Sequence, residues 1–257
     1  MEVGPEVLVV VPAWNEAASV GTVVKEILAV APEVSVLVVD DGSTDRTGAL
    51  AQAAGAQVIT NLFNLGVGGA VRVGIRYALS HGFGAMVQVD SDGQHDPRDI
   101  AAVLAPLDRD GPPQIVIGAR FAGKDEFEVT GARRLAMRLL ARYLSRITRA
   151  KLSDVTSGFR AHNRAMLDIF ARTYPADYLA DTVESLVIAS RAGASISQVP
   201  VAMRPRYAGR PSQSAWRAVS YLFRVLLTLA LAIIRRRPQP PNPEEGPTCP
   251  ESTSSRS

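Results

Sequence analysis

At 257 residues, 47% hydrophobic and 21% charged, the chain is long enough to bury a large single core, and α/β units of this length stay undivided. A net charge of +3, with the cations gathered after Ala119 and no Lys/Arg stripe interleaved with aromatics, argues against a nucleic-acid surface. The single cysteine, Cys249, excludes an internal disulfide and a cysteine-built zinc site and fits a reducing compartment, and the first residues lack the pattern of a secretory leader.

Short β-branched runs alternate with helical stretches through the first half, which predicts βαβ units and a mostly parallel sheet. Strands are expected at Val7–Val11, Val34–Val39, Gln57–Thr60, Ala85–Val89 and Gln114–Ile117, with helices at Ala18–Ala31, Thr44–Ala54 and Val67–Ser80. Ser43 or Thr44 is placed to cap the second helix. A basic amphipathic helix follows from Ala132 to Arg149, then Thr156-Ser157-Gly158-Phe159-Arg160, a helix around Asn163–Arg172, another from Thr182 to Ala192, and a strand over Ser195–Met203. Arg204–Ser214 reads as a basic loop.

Ala215–Arg237 reads as a further helix. Its apolar part, Val219–Ile234, is interrupted by Arg224 and falls short of the ~20 residues of a bilayer span. It reads either as an interfacial anchor ending in Arg235-Arg236-Arg237 or as a packed terminal helix. Pro238–Ser257, rich in Pro, Glu and Ser, is expected to be a disordered tail.

In open parallel sheets, ligands sit beyond the carboxyl ends of the strands. Asp90-Ser91-Asp92 stands at one such end, with Gln94, His95 and Asp96 behind it. Two carboxylates so close repel unless a cation separates them, and hard oxygen ligands suit Mg²⁺ or Mn²⁺ completed by substrate phosphates. Asp40-Asp41-Gly42-Ser43 ends a second strand, where an acid can accept from a ribose or a base imide. Pro12-Ala13-Trp14-Asn15-Glu16 ends the first; it reads as a wall for a nucleobase or as a helix N-cap at Asn15. Gly66 and Gly68, in Asn64-Leu65-Gly66-Val67-Gly68-Gly69-Ala70, allow a helix start to approach an anion or sugar closely, or to pack tightly on the sheet. That stretch is neither GxGxxG nor a Walker sequence, so a dehydrogenase or P-loop NTPase is not indicated.

Taken in order, Val11-Pro12-Ala13-Trp14-Asn15-Glu16, Val39-Asp40-Asp41-Gly42-Ser43, Asn64 to Ala70, Asp90-Ser91-Asp92-Gly93-Gln94-His95-Asp96-Pro97, Ile117-Gly118-Ala119-Arg120-Phe121 and Thr156 to Ala161 resemble family 2 glycosyltransferases of the GT-A fold. The likeness is greatest to the polyprenyl-phosphate sugar synthases similar to dolichol-phosphate mannose synthase, and it runs from about Val7 to Ile234. The resemblance implies a GT-A catalytic domain over 1–214, a membrane-associating helix over 215–237 and a tail over 238–257. It implies donor contacts at Pro12, Asn15, Glu16, Asp41, Gly66, Gly68, Asp90, Ser91 and Asp92, with Asp90, Asp92 and Gln94 holding Mg²⁺ or Mn²⁺. Arg120 with Arg133 or Arg134 resembles the cations that hold an acceptor phosphate, and Arg204, Arg206 or Arg210 the loop that closes on the donor diphosphate. Glu184, with Asp181 three residues earlier, is the candidate base if the acceptor is a hydroxyl.

The resemblance therefore implies an inverting transferase that uses a nucleoside-diphosphate sugar, UDP-glucose or GDP-mannose, and a polyprenyl phosphate on the cytoplasmic face of a membrane in cell-envelope glycan synthesis. Some members carry transmembrane hairpins after the catalytic domain, whereas this chain has one short amphipathic helix, which looks like the members that lie on the membrane alone or with a separate membrane protein. A glycan or glycolipid hydroxyl acceptor and a non-catalytic nucleotide-sugar scaffold remain alternatives. A nucleotidyltransferase should carry a Gly-rich loop with Arg and Lys after the first strand, which Pro12 to Glu16 is not.

Overall fold

The computed structural model describes residues 7–120, 131–175 and 181–205, with side chains for all of these except 120 and 131–137. Seven strands form one sheet: β1 (Val7–Ala13), β2 (Ser35–Asp40), β3 (Gln57–Thr60), β4 (Ala85–Gln88), β5 (Gln114–Arg120), β6 (Arg160–Asn163) and β7 (Ser195–Val201), in the order β3-β2-β1-β4-β6-β5-β7. All neighbours are parallel except β6, which runs antiparallel between β4 and β5.

Strands buried on both faces read as unbroken apolar runs, and β1 shows how one run serves two layers. Val7, Val9 and Val11 point to the face covered by α1 (Val20–Val30), α2 (Thr47–Ala53) and α4 (Ile100–Leu104). Leu8 and Val10 point to the face covered by α3 (Gly66–Ser80), α5 (Gly131–Thr148), α6 (Arg164–Thr173) and α7 (Asp181–Arg191). The α3 backbone lies so close to β1 that a Cβ on Gly74 would come within 2.5 Å of a Val10 methyl. This is the expected mostly parallel α/β sheet between helical layers.

Three details differ from the sequence expectation. The second helix begins at Thr47 without a side-chain cap, because Ser43 and Thr44 turn instead to Asn15. Strand β6 and the short α4, which follows a 3-10 turn at Pro97–Asp99, were not anticipated. The β6 sequence Arg160-Ala161-His162-Asn163 carries no apolar alternation; Arg160 and Asn163 are buried on hydrogen bonds instead. The segments 206–237 and 238–257, and with them the expected terminal helix and tail, lie outside the described residues.

Asn163 illustrates how a polar strand residue is accommodated. Its Oδ1 accepts from the amides of Gln114 (2.9 Å) and Met166 (3.1 Å), which caps α6, while Nδ2 donates to the carbonyls of Asp108 and Pro112, both at 2.8 Å. Replacing it by alanine orphans buried donors and acceptors on three segments at once. Asn163→Ala should therefore lose about 2–4 kcal/mol in urea unfolding, with an unchanged slope; a loss within a few tenths of a kcal/mol would show that water satisfies these groups.

Candidate active site

The sheet order reverses at β1: β2 and β3 lie to one side of it and β4 to the other. Such a switch point opens a crevice at the carboxyl ends of the two strands, and the motifs singled out above converge there. The loops after β1 and β2 are knitted together. Asn15 sits at a positive φ of 55°, donates its amide to Ser43 Oγ (2.9 Å) and accepts from the Thr44 amide (2.9 Å). The Glu16 amide donates to Thr47 Oγ1 (2.9 Å), and its carboxylate accepts from Ser19 Oγ (2.8 Å). The N-cap alternative for Asn15 is thereby corrected, because α1 starts at Val20 and Asn15 braces the neighbouring loop.

Asp41 is buried and accepts from Asn61 Nδ2 (2.7 Å), the Leu65 amide (2.9 Å) and the Gly66 amide (2.8 Å). A carboxylate at a helix N-terminus is favoured by the oriented amides, so Asp41 fixes the start of α3 against the end of β2. The Gly66 amide, expected at the donor, is given to Asp41, with Gly66 at a φ of 81° that suits glycine. Gly68 is buried in the first turn of α3. Pro12 is half-buried at the end of β1, and Trp14 stands exposed beside it at the rim with Leu62 and Phe63.

Asp90 and Asp92 follow β4. Asp92 is buried and its Oδ1 accepts from the Gln94 amide (3.0 Å); Ser91 is buried between the two acids. His95 Nε2 lies 3.1 Å from Asp90 Oδ2, and the imidazole stacks on Phe159 with ring centroids 5.1 Å apart. From the other side Gly158 closes in: a Cβ there would come 2.8 Å from Asp90 Oδ1. Among the described residues no three His, Cys, Asp or Glu side chains converge closely enough to cage a metal. Two adjacent carboxylates without a third protein ligand fit a hard divalent cation that completes its shell with phosphate oxygens and water.

Behind this pair lies a polar network that sequence reasoning quoted as a motif without giving it a role. Arg160 is 1% exposed. It donates from Nε to the Ser157 carbonyl (2.8 Å), from Nη1 to the Thr182 carbonyl and Ser185 Oγ (both 2.9 Å), and from Nη2 to the Val155 carbonyl (3.0 Å). It thus fastens the start of β6 to the start of α7. Asp181 and Glu184 are both buried in the first turn of α7. The Asp181 carboxyl is pushed up to about 6, by burial above all and further by the charge of Asp90, against the pull of Arg160. Its Oδ2 has no hydrogen-bond partner. Burial, with Asp181 and Asp90 nearby, also raises the Tyr174 hydroxyl far above its ordinary value. Both acids named as candidate bases, Asp181 and Glu184, are thus buried at the start of α7.

Arg204 does not face the crevice as a donor cation. Its guanidinium pairs with Glu26 (2.7 Å) and Asp96 (2.8 Å), and its amide donates to the Gln94 carbonyl (2.8 Å), which pins the segment after β7 beneath the Asp90 loop. Arg98, with Arg204, holds the Asp96 carboxyl well below the ordinary carboxylate range. Arg206 and Arg210 lie outside the described residues, as do the side chains of Arg120, at the end of β5, and of Arg133 and Arg134, in the first turn of α5.

Comparison with known proteins agrees with this geometry. The family model described as glycosyl transferase family 2 matches residues 8–170. Polyprenol monophosphomannose synthase of Mycolicibacterium smegmatis is 31% identical over 168 residues, a match spanning 63% of this chain and 63% of that relative. Undecaprenyl-phosphate mannosyltransferase of Micrococcus luteus is 28% identical, over 81% of this chain and 87% of the relative. Among solved structures, glucosyl-3-phosphoglycerate synthase of Mycobacterium tuberculosis in complex with Mn²⁺, uridine diphosphate and phosphoglyceric acid superposes with a TM-score of 0.66 at 24% identity, covering 90% of this chain and 79% of that one; at that identity the likeness concerns the fold.

The raised Asp181 carboxyl makes stability depend on pH in a defined direction. A folded-state value of about 6, above the unfolded value, favours folding while the group is neutral, and this contribution is lost as the pH rises through about 6. Asp181→Asn, neutral throughout, should match the wild type near pH 4 and exceed its stability by on the order of 2 kcal/mol near pH 8. Denaturant unfolding in the presence of a chelator measures the difference; two parallel stability curves would refute the raised value.

Proposed function

This chain is a member of glycosyl transferase family 2, and we propose that it transfers a sugar from a nucleoside-diphosphate sugar to a polyprenyl phosphate with inversion at the anomeric carbon. The observation that carries this reading is the placement of Asp90 and Asp92 at the β1–β4 switch point, beside the loops bound together by Asn15 and Asp41. Two relatives named for polyprenyl-linked mannose transfer support the acceptor class. The donor is UDP-glucose or GDP-mannose.

In this reading the base and ribose rest against the Pro12 to Glu16 and Asp41 loops. A divalent cation, Mg²⁺ or Mn²⁺, held by Asp90 and Asp92 with Gln94 behind them, supplies charge neutralisation at the leaving nucleoside diphosphate. Arg120, with Arg133 or Arg134, holds the acceptor phosphate, and Arg206 closes over the donor. One phosphate oxygen attacks the anomeric carbon as the bond from that carbon to the diphosphate breaks, which inverts the centre in a single displacement. The nucleophile is already anionic, so no base is needed, and positioning with electrostatic stabilisation provides the rate.

A second reading, transfer to a glycan or glycolipid hydroxyl, is favoured by one observation: the buried, unpartnered Oδ2 of Asp181 beside the Asp90 region. There Asp181 or Glu184 would take the hydroxyl proton. The acceptor reading places the work at a membrane surface on its cytoplasmic face, with a separate membrane protein as a further partner. Among the described residues no helix is long and apolar enough to cross a membrane.

Labelled UDP-glucose and GDP-mannose, supplied with Mg²⁺ or Mn²⁺ and with or without polyprenyl phosphate, test the proposal. An organic-extractable product that requires the lipid supports it. A water-soluble glycan product moves the assignment to hydroxyl acceptors, and donor binding without transfer or hydrolysis makes the chain a scaffold. Asp92→Asn retains an oxygen for the Gln94 amide but removes the charge; it should lower turnover by roughly 100-fold or more at unchanged melting temperature. Full activity in that variant would remove the cation role.

A further inference from the structure

Each acid of the crevice is held by a neighbour from one short turn. The Gln94 amide donates to Asp92 Oδ1 (3.0 Å), and His95 Nε2 lies 3.1 Å from Asp90 Oδ2. The turn is made at Gly93, with a φ of 77°, and leads into Asp96, whose Oδ1 accepts from the Arg98 amide (3.0 Å). What braces this turn comes from the far edge of the sheet. Strand β7 stands three places from β4, and both end on the same rim. The three residues after β7 then form a strap to the acid loop. The Ala202 amide donates to Asp99 Oδ2 (2.9 Å), Met203 bridges His95 in antiparallel fashion, and the Arg204 amide donates to the Gln94 carbonyl (2.8 Å). Arg204 spreads its guanidinium between two acids, Nη2 to Asp96 Oδ1 (2.8 Å) and Nη1 to Glu26 Oε2 (2.7 Å) on α1. The Asp96 side chain is 7% exposed and that of Arg204 26%, so the junction lies mostly out of water.

The proposed transfer gives Arg204 no contact with donor or acceptor, and its charge has the wrong sign to help. A fixed cation near two carboxylates repels a divalent ion, so by charge alone the acid pair would bind metal better without it. Geometry works in the other direction. The planar fork of an arginine holds two carboxylates at a fixed spacing. Through Asp96 it fixes the turn against α1, and through the turn it fixes the Gln94 amide and the His95 imidazole that orient Asp92 and Asp90. Carboxylates that bind a metal depend on such supporting hydrogen bonds for their affinity. Given the cation proposed for Asp90 and Asp92, on which this rests, we infer that Arg204 is a positioning residue that raises the affinity of the acid pair for that cation, against the sign of its own charge.

Binding of Mn²⁺ to the full chain, followed by loss of the free-ion EPR signal with UDP and separately with GDP, tests this role. Arg204→Met should bind Mn²⁺ roughly tenfold more weakly than the wild type, although it leaves Asp96 and Glu26 without their cation. Arg204→Lys keeps the charge but reaches one carboxylate at a time, so it should recover part of the loss. An affinity in Arg204→Met equal to or above that of the wild type would overturn the inference, since charge alone predicts a gain. Glu26→Gln cuts one arm of the junction at its more exposed end and keeps the backbone bonds of the strap. It should weaken Mn²⁺ binding by the same factor at low and high salt; a loss that disappears at high salt is a field effect and counts against positioning. In transfer assays the Mn²⁺ requirement of Arg204→Met should rise while kcat at saturating Mn²⁺ stays near that of the wild type. A lower kcat with an unchanged Mn²⁺ requirement would move Arg204 to the chemical step and overturn the inference. A wild type that binds no Mn²⁺ with either nucleotide removes the cation reading and this role together, whereas wild-type binding with unaltered variants removes the role of Arg204 alone.

Discussion

Negative charge crowded where water is scarce is the constraint around which the rest of this structure is arranged. Asp92 is buried, Asp90 half-buried and Asp181 buried, and the charge of Asp90 reaches both Asp181 and Tyr174. Carboxylates in such surroundings must be protonated, paired or bridged by a cation. The first two devices are visible here, and the third is the one proposed for Asp90 and Asp92. The Asp181 carboxyl is raised by burial, Arg160 supplies a buried positive charge that lowers it again, and Asp90 with Asp92 forms an oxygen pair of the kind the proposed divalent ion would need.

The topology explains how residues from distant parts of the chain meet at this place. Strand β6 runs antiparallel beside β4, so Arg160 enters next to Gln88 in the register, just before the end of β4 from which Asp90 and Asp92 lead off. A parallel strand in that slot would have delivered its carboxyl end there instead, and with it the cap of α6. The reversed strand lets Arg160 bind carbonyls of its own approach loop and of α7 together, which draws the α7 N-terminus with Asp181 toward the acids. On the other side of the crevice the equivalent fastening is Asp41, which joins the end of β2 to the start of α3.

The first half of the sheet was legible because its signals are local. Val7 to Val11 and Val34 to Val39 are apolar runs of strand length, and each is followed at once by the polar residues that the crevice needs. Periodicity could not find β6, since four residues reading Arg-Ala-His-Asn alternate nothing, and what stabilises them is a set of hydrogen bonds to segments up to 55 positions away. The cap expected at Ser43 or Thr44 failed for a related reason: both residue types can cap, but Asn15 competed for them across 28 and 29 positions. Arg204 was grouped with the basic loop by composition, and only the fold shows Glu26 and Asp96 waiting for it.

The two halves of the site are not electrically independent. Burial above all raises the Asp181 carboxyl, and the like charge of Asp90 adds to it through a poorly screened interior. Linkage is reciprocal, so whatever neutralises Asp90 also makes it easier for Asp181 to ionise. A positive charge beside Asp90 is therefore felt at the first turn of α7 without any movement of the backbone. With a value of about 6, Asp181 is largely ionised at neutral pH at a cost in stability, and neutralising Asp90 lessens that cost.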